Sequence, residues 1–180
     1  SIGNDPQDLT YHGEPTKLTI GNNNIIREYC MISRGTTKGG GITEIGHNNF
    51  LMAYSHIGHD CVIKNHVIMI NYAALSGHVT VDDYAIIGGY AAIHQFCRVG
   101  TYAFIARATY VTKDVLPYVM IAGHTTSACG INTVGLRRRG FTSQAIDNLR
   151  RAYKTIFRKG FTIQQAIAEL EIMQAECPEI

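Results

Sequence analysis

The chain has 180 residues, 46% hydrophobic and 17% charged, with 16 Lys and Arg against 14 Asp and Glu for a formal charge of +2. That length fits one domain or a domain with an appendage, and no window holds the roughly 18 apolar residues of a membrane helix, so neither an integral membrane segment nor a signal peptide is expected. The five cysteines, at 30, 61, 97, 129 and 177, are odd in number and form no CxxC pair, which argues for a reduced, cytoplasmic protein.

Ile2-Gly3 reads as the start of a six-residue unit in phase with Ile20, Ile26 and Ile32, and suggests a piece lacking N-terminal coils. Residues 4–17 (NDPQDLTYHGEPTK) break the period with Pro and Gly and read as a projecting loop. A second break at 33–44 holds Gly39, Gly40 and Gly41. No GKS or GKT follows them, so a flexible loop is expected rather than a phosphate cradle.

From Ile45 the order is strict. Ile45, Leu51, Ile57, Ile63, Met69, Leu75, Val81, Ile87, Ile93, Val99, Ile105 and Val111 place an aliphatic residue or Met at every sixth position. The fifth place of each hexad is small or β-branched from Ser55 onward and includes Cys61 and Cys97, which read as small core residues. A period of six suits neither an α-helix nor an isolated strand. It marks a hexapeptide solenoid, a parallel β-helix in which three hexads close a triangular coil and first-place residues stack inward. Residues 18 apart then lie about 4.8 Å apart, one above the other.

Beyond Val111 the pattern decays, and from Phe141 the period becomes helical. Ser143 is expected to cap a helix whose apolar stripe is Ala145, Ile146, Leu149, Ala152, Tyr153, Ile156 and Phe157, stopped by Gly160. Thr162 is expected to cap a second helix to about Gln174. The expected division is thus a β-helix over 1–135, with loops at 4–17 and 33–44, and a helical domain over 136–180 that caps the open end.

Half of all Lys and Arg lies between Arg137 and Gly160: Arg137, Arg138, Arg139, Arg150, Arg151, Lys154, Arg158 and Lys159, against Asp147 as the one acid. Such a patch suits an anionic partner, a phosphorylated small molecule or an acidic protein. Nucleic acid fits poorly, because the patch lacks interleaved aromatics.

Histidines gather in SHIGHDC. His56 and His59 are expected to flank a corner near Ile57, neither taking the inward place. Asp60 follows, His78 lies one coil above it, and His94 lies two coils less one residue beyond His59. Two chemistries could use this band: an imidazole general base oriented by a carboxylate, or imidazole ligation of Zn²⁺ as in carbonic anhydrases built on hexapeptide coils. A histidine-decorated, non-catalytic scaffold is the third reading.

HIGHDC, LSGHVTVDDYAIIGG, IHQFC, QDLTYHGEPT and GINTVGLRRRGF together resemble the UDP-N-acetylglucosamine O-acyltransferases of lipid A biosynthesis, in order and over essentially the whole chain. The resemblance implies a left-handed β-helix with a C-terminal helical domain, assembled as a homotrimer with sites between subunits. It implies transfer of an R-3-hydroxyacyl chain from acyl carrier protein to the 3-position of UDP-GlcNAc, without cofactor or metal. On the matching positions His59 is the general base, Asp60 orients it and the Gly77 N–H stabilises the oxyanion. Asp8, His56, His78, His94, Gln95, Asn132, Arg138 and Arg139 match substrate-contacting positions, and the Arg-rich helix suits the acidic carrier.

The chain departs from the family pattern at Ser33, where His is common, at Thr10, where Lys stands, and at Val134, where an acid stands. Ala106 and Arg107 occupy the segment whose small residues set acyl-chain length, and a bulky Arg107 is expected to shorten the accepted chain. Metal analysis separates the acyltransferase from the carbonic anhydrase-like alternative, and UDP-GlcNAc binding separates it from a scaffold.

Overall fold

A computed structural model describes residues 1–123, 127–175 and 177–180. The hexads form a left-handed parallel β-helix with three walls. The first wall holds strands Ile2–Asn4, Met31–Ser33, His56–Ile57, Ala74–Leu75, Ala92–Ile93 and Tyr110–Val111. The second runs from Lys17–Ile20 through Ile42–Ile45, Val62–Ile63 and Thr80–Val81 to Arg98–Val99. The third climbs from Ile25–Ile26 through Phe50–Leu51, Ile68–Met69, Ile86–Ile87 and Phe104–Ile105 to Val119–Ala122, where antiparallel Ser127–Ile131 ends it.

Register follows the predicted spacing of 18: His56 pairs with Ala74, Ala74 with Ala92 and Ala92 with Tyr110. First-place side chains from Ile45 to Val111 are all buried, and so is every fifth-place residue from Asn49 to Val115. Each coil fills the same column its neighbours fill, so the core is a continuous aliphatic stack.

The corners depart from expectation. The bend is not near Ile57, which lies in a strand with His56; it falls on third and fourth places, such as His59–Asp60. Each fourth-place residue from Asn48 to Ala108 takes a left-handed backbone, with φ between 53° and 65°. That conformation costs a non-glycine residue about 1–2 kcal/mol. Two local gains offset it. Except at Asp60, the fourth-place N–H donates to the third-place carbonyl one coil below, as from His78 to His59 at 2.9 Å. The rings also stack: Tyr54, Tyr72 and Tyr90 lie 4.7 Å apart in succession, each such pair contributing about 0.5–1.5 kcal/mol.

Outward sixth places differ between walls. On the third they are Ile25, Phe50, Ile68, Ile86, Phe104 and Met120, all apolar and none fully buried. On the second, Glu44, Thr80 and Arg98 are among them.

Three helices follow. α1 (Thr133–Arg138) was not foreseen and straddles the expected division at 135/136; the Asn132 side chain starts it by accepting from the Gly135 N–H at 3.1 Å. α2 (Ser143–Phe157) begins one residue earlier than expected, because Thr142 rather than Ser143 is the cap, accepting from the Ala145 N–H. α3 (Ile163–Gln174) starts at Thr162 with a capping box to Gln165. Ile146 and Leu149 of α2 join Leu136 in a second core against Tyr102, Tyr118, Ile131 and Phe141. Among the described residues no helix is long and apolar enough to cross a membrane.

Candidate active site

The corner rule brings Asp60 and His78 together. Both are fourth-place, left-handed residues one coil apart, and His78 Nε2 lies 3.8 Å from Asp60 Oδ2. His59 precedes Asp60, and its Nδ1 donates to the same oxygen at 2.7 Å, since a carboxylate oxygen only accepts. This bond leaves Nε2 of His59 with no protein partner among the described residues, on a ring that keeps 16% of its surface exposed. The His59 and His78 rings meet edge to face at 5.1 Å, and Phe96, one coil higher, stacks on His78 at 4.4 Å.

Gly77 adjoins this pair. A Cβ there would stand 2.6 Å from Cε1 and 2.7 Å from Nε2 of His59, so only glycine leaves the ring its place. The Gly77 N–H has no acceptor among the described residues. On the second wall a side chain from the coil above takes this bond at some third places, Asp83 accepting from the Asn65 N–H at 2.8 Å, whereas at Asn71 and Gly89, as at Gly77, no acceptor stands among the described residues. A free N–H beside an imidazole edge is an arrangement suited to charge developing on a carbonyl oxygen.

The expected loop at 33–44 contains a short turn that packs on the Asp60 carboxylate. Thr36 caps a short turn, Thr37–Gly39, and lies against Asp60: its N–H donates to Oδ1 and its hydroxyl to Oδ2, both at 2.7 Å. A Cβ on Gly39 would collide with the same carboxylate. The Asp60 N–H donates to Thr43 Oγ1 at 2.8 Å. Sequence reasoning missed Thr36 and Thr43, because both lie in the insertion where the period carries no information.

His59, Asp60 and His78 could also be read as metal ligands, their donor atoms lying within 4.8 Å of one another. Against that, the Asp60 carboxylate already accepts three protein hydrogen bonds and its side chain has no exposed surface, so three of its roughly four lone-pair sites are taken.

The other expected residues spread more widely. Half-buried His56 stands on the first wall, and burial holds its imidazole below the usual range. His94 and Gln95 are exposed, with His94 edge-on to Tyr110 rather than in contact with the dyad. Asp8 lies in the first loop, where the Thr10 N–H and hydroxyl hold its carboxyl below the usual range, with smaller contributions from His59 and Lys38. The Thr10 hydroxyl is thus turned onto Asp8. Arg34 ties this loop to the next, reaching Gly3 O at 3.0 Å, Asp5 and the Tyr11 hydroxyl. Ser33, in the place where His is common, is buried with an unpartnered hydroxyl.

Asn132 is buried, and its amide also donates to Tyr102 O at 3.1 Å. Arg138 borders a cavity of about 510 Å³ with Phe104 and Asn132, while Arg139 lies over the Tyr84 ring at 4.3 Å. Ala106 and Arg107 line a cavity of about 670 Å³ with Gly88, Gly89 and Tyr90, on the third wall and its corner rather than beside His59.

Comparisons with known proteins place the chain among relatives. A family model described as UDP N-acetylglucosamine O-acyltransferase, domain 2, matches residues 114–180. Curated acyl-[acyl-carrier-protein]--UDP-N-acetylglucosamine O-acyltransferases from Pseudomonas paraeruginosa and Alkalilimnicola ehrlichii are 50% and 48% identical over all of this chain and 70% of their own length. The solved UDP-N-acetylglucosamine O-acyltransferase of Moraxella catarrhalis superposes with a TM-score of 0.97 at 42% identity, over 99% of this chain and 69% of that one. LpxA from Acinetobacter baumannii gives 0.96 at 45%, over 99% and 70%. Identity of this degree across coils, insertions and helices together means that the chain belongs to the UDP-N-acetylglucosamine O-acyltransferase family.

Proposed function

We infer that the chain catalyses its family's reaction, moving an R-3-hydroxyacyl group from acyl carrier protein to the 3-position of UDP-GlcNAc at the start of lipid A biosynthesis. The observation that carries the mechanism is the 2.7 Å bond from His59 Nδ1 to Asp60 Oδ2, which places the ring proton on Nδ1 and leaves Nε2 free to accept. Nε2 takes the proton of the glucosamine 3-hydroxyl as its oxygen attacks the thioester carbonyl. The Gly77 N–H receives the oxyanion. Collapse expels the carrier's thiolate, which recovers the proton from His59, leaving an ester and a free thiol.

Asp8, His56, His78, His94, Gln95, Asn132, Arg138 and Arg139 surround the two substrates in this reading. Exposed Arg150, Arg151, Lys154, Arg158 and Lys159 attract the acidic carrier. The acyl-length residues Ala106 and Arg107 stand on a different wall from His59, so one copy does not complete the site. The apolar outer face of the third wall supports a homotrimer in which a neighbour supplies the missing half. The protein acts in the cytoplasm, where its acyl carrier and nucleotide sugar are made.

Replacing His59 with Ala is the test. We expect kcat for acyl transfer to fall by about 10²- to 10⁴-fold; retention of most activity would overturn the assignment. Competition between acyl donors tests Arg107: Arg107→Gly should move preference toward longer chains, and an unmoved preference removes it from the acyl groove.

A further inference from the structure

Asp60 has a choice of partners. Its Oδ2 accepts from His59 Nδ1 at 2.7 Å, while His78 Nε2 waits 3.8 Å from the same atom. The two rings meet edge to face, so both imidazoles border the same carboxylate oxygen. We propose that Thr36 is the positioning residue that commits Asp60 to His59 and denies it to His78.

The carboxylate plane is set by two donors from one residue. Thr36 N–H holds Oδ1 and Thr36 hydroxyl holds Oδ2, both at 2.7 Å, so rotation about the Asp60 Cβ–Cγ bond breaks both at once. Thr36 is 4% exposed and the Asp60 side chain has no exposed surface, so water does not substitute for either bond. The hydroxyl has a second duty: it accepts from the Gly39 N–H at 3.2 Å, which folds the turn against the carboxylate. Gly39 lacks the side chain that would push Asp60 away. A single hydroxyl therefore links the order of the 33–44 insertion to the tautomer of His59. With Nδ1–H engaged, the proton is absent from Nε2, as a base requires. Were Asp60 to turn to His78, the His59 ring would lose its orienting acceptor and both tautomers would populate.

This rests on His59 as base, and the experiment separates the two ideas. Thr36→Val keeps shape and backbone N–H but removes the hydroxyl; Thr36→Ser restores it. With acyl carrier protein and UDP-GlcNAc as substrates, Thr36→Val should lower kcat about 10- to 100-fold, with both KM values within about twofold. Thr36→Ser should stay within about threefold of the parent. In ¹⁵N–¹H spectra of the histidine rings, the parent and Thr36→Ser should show one His59 tautomer with Nδ1–H, and Thr36→Val a mixture. Parental kcat and an unchanged His59 signal in Thr36→Val, or equal losses in Val and Ser, would refute the proposal. If Thr36→Val does not fold, Thr36→Ala carries the same expectations. If His59→Gln keeps its activity, the base assignment falls while the ring spectra still decide which imidazole Asp60 holds. If His59→Gln is inactive and Thr36→Val is unaffected, only the present proposal falls.

Discussion

Gly77 and His59 are packed so that the Cα of one faces the imidazole edge of the other, and a Cβ on Gly77 would come within 2.7 Å of Nε2. Gly77→Ala keeps the amide N–H yet displaces the ring. The Gly77 φ lies outside the left-handed region, so backbone strain adds nothing. A fall in kcat of about 10²-fold is expected, with the melting temperature within a few degrees of the parent. Steady-state kinetics beside a thermal melt checks both halves; parental kcat would mean that the ring has room the structure does not give it.

Leu75 is fully buried between Ile57 and Ile93, its partners one coil below and above. Leu75→Ala should cost about 2–5 kcal/mol in urea unfolding. Because coils contact only their neighbours, the loss should expose first-place residues near the defect before distant ones, which hydrogen exchange would resolve.

His56 gives a pH signature. Burial lowers its folded pKa, so the unfolded chain binds more protons in the window below the ordinary histidine value, and stability is lost as pH falls through it. The melting temperature should drop between about pH 7.5 and 5.5 by less in His56→Gln than in the parent. Parallel curves would show that His56 carries no such linkage.

The thiols should separate by burial. Cys61 is fully buried, donates to Ser76 O at 3.0 Å and is pushed up by burial to about 12, whereas Cys129 is exposed. A chromogenic disulfide at about pH 8 should label Cys129 within seconds and Cys61 only on unfolding, since the thiolate is the reactive form. Peptide mapping identifies which has reacted.

Much of the fold was readable because its period is rigid. Twelve hexads told which side chains point inward, and a spacing of 18 told that His78 stands over Asp60. What escaped was whatever the period does not govern. The corner residues are mostly Tyr, His and Phe, and Tyr and Phe are not usual left-handed residues; the bond to the coil below and the stacking of successive rings explain their use. α1 is six residues long and interrupted by Gly135, too brief for a periodic signal. Thr142 and Ser143 both suit a cap; the choice depends on which oxygen reaches the Ala145 N–H.

By itself the sequence determined the coils, the buried columns, the identity of the histidine cluster and the presence of two C-terminal helices, since repeat and amphipathic patterns are local properties of the chain. Only the tertiary structure decided how the cluster is wired. Thr36 meets Asp60 from 24 residues away across an aperiodic insertion, and Gly77 is glycine because of a ring 18 residues earlier. Contacts between a repeat and an insertion obey no spacing rule, because the insertion's path is set by the surface it lands on.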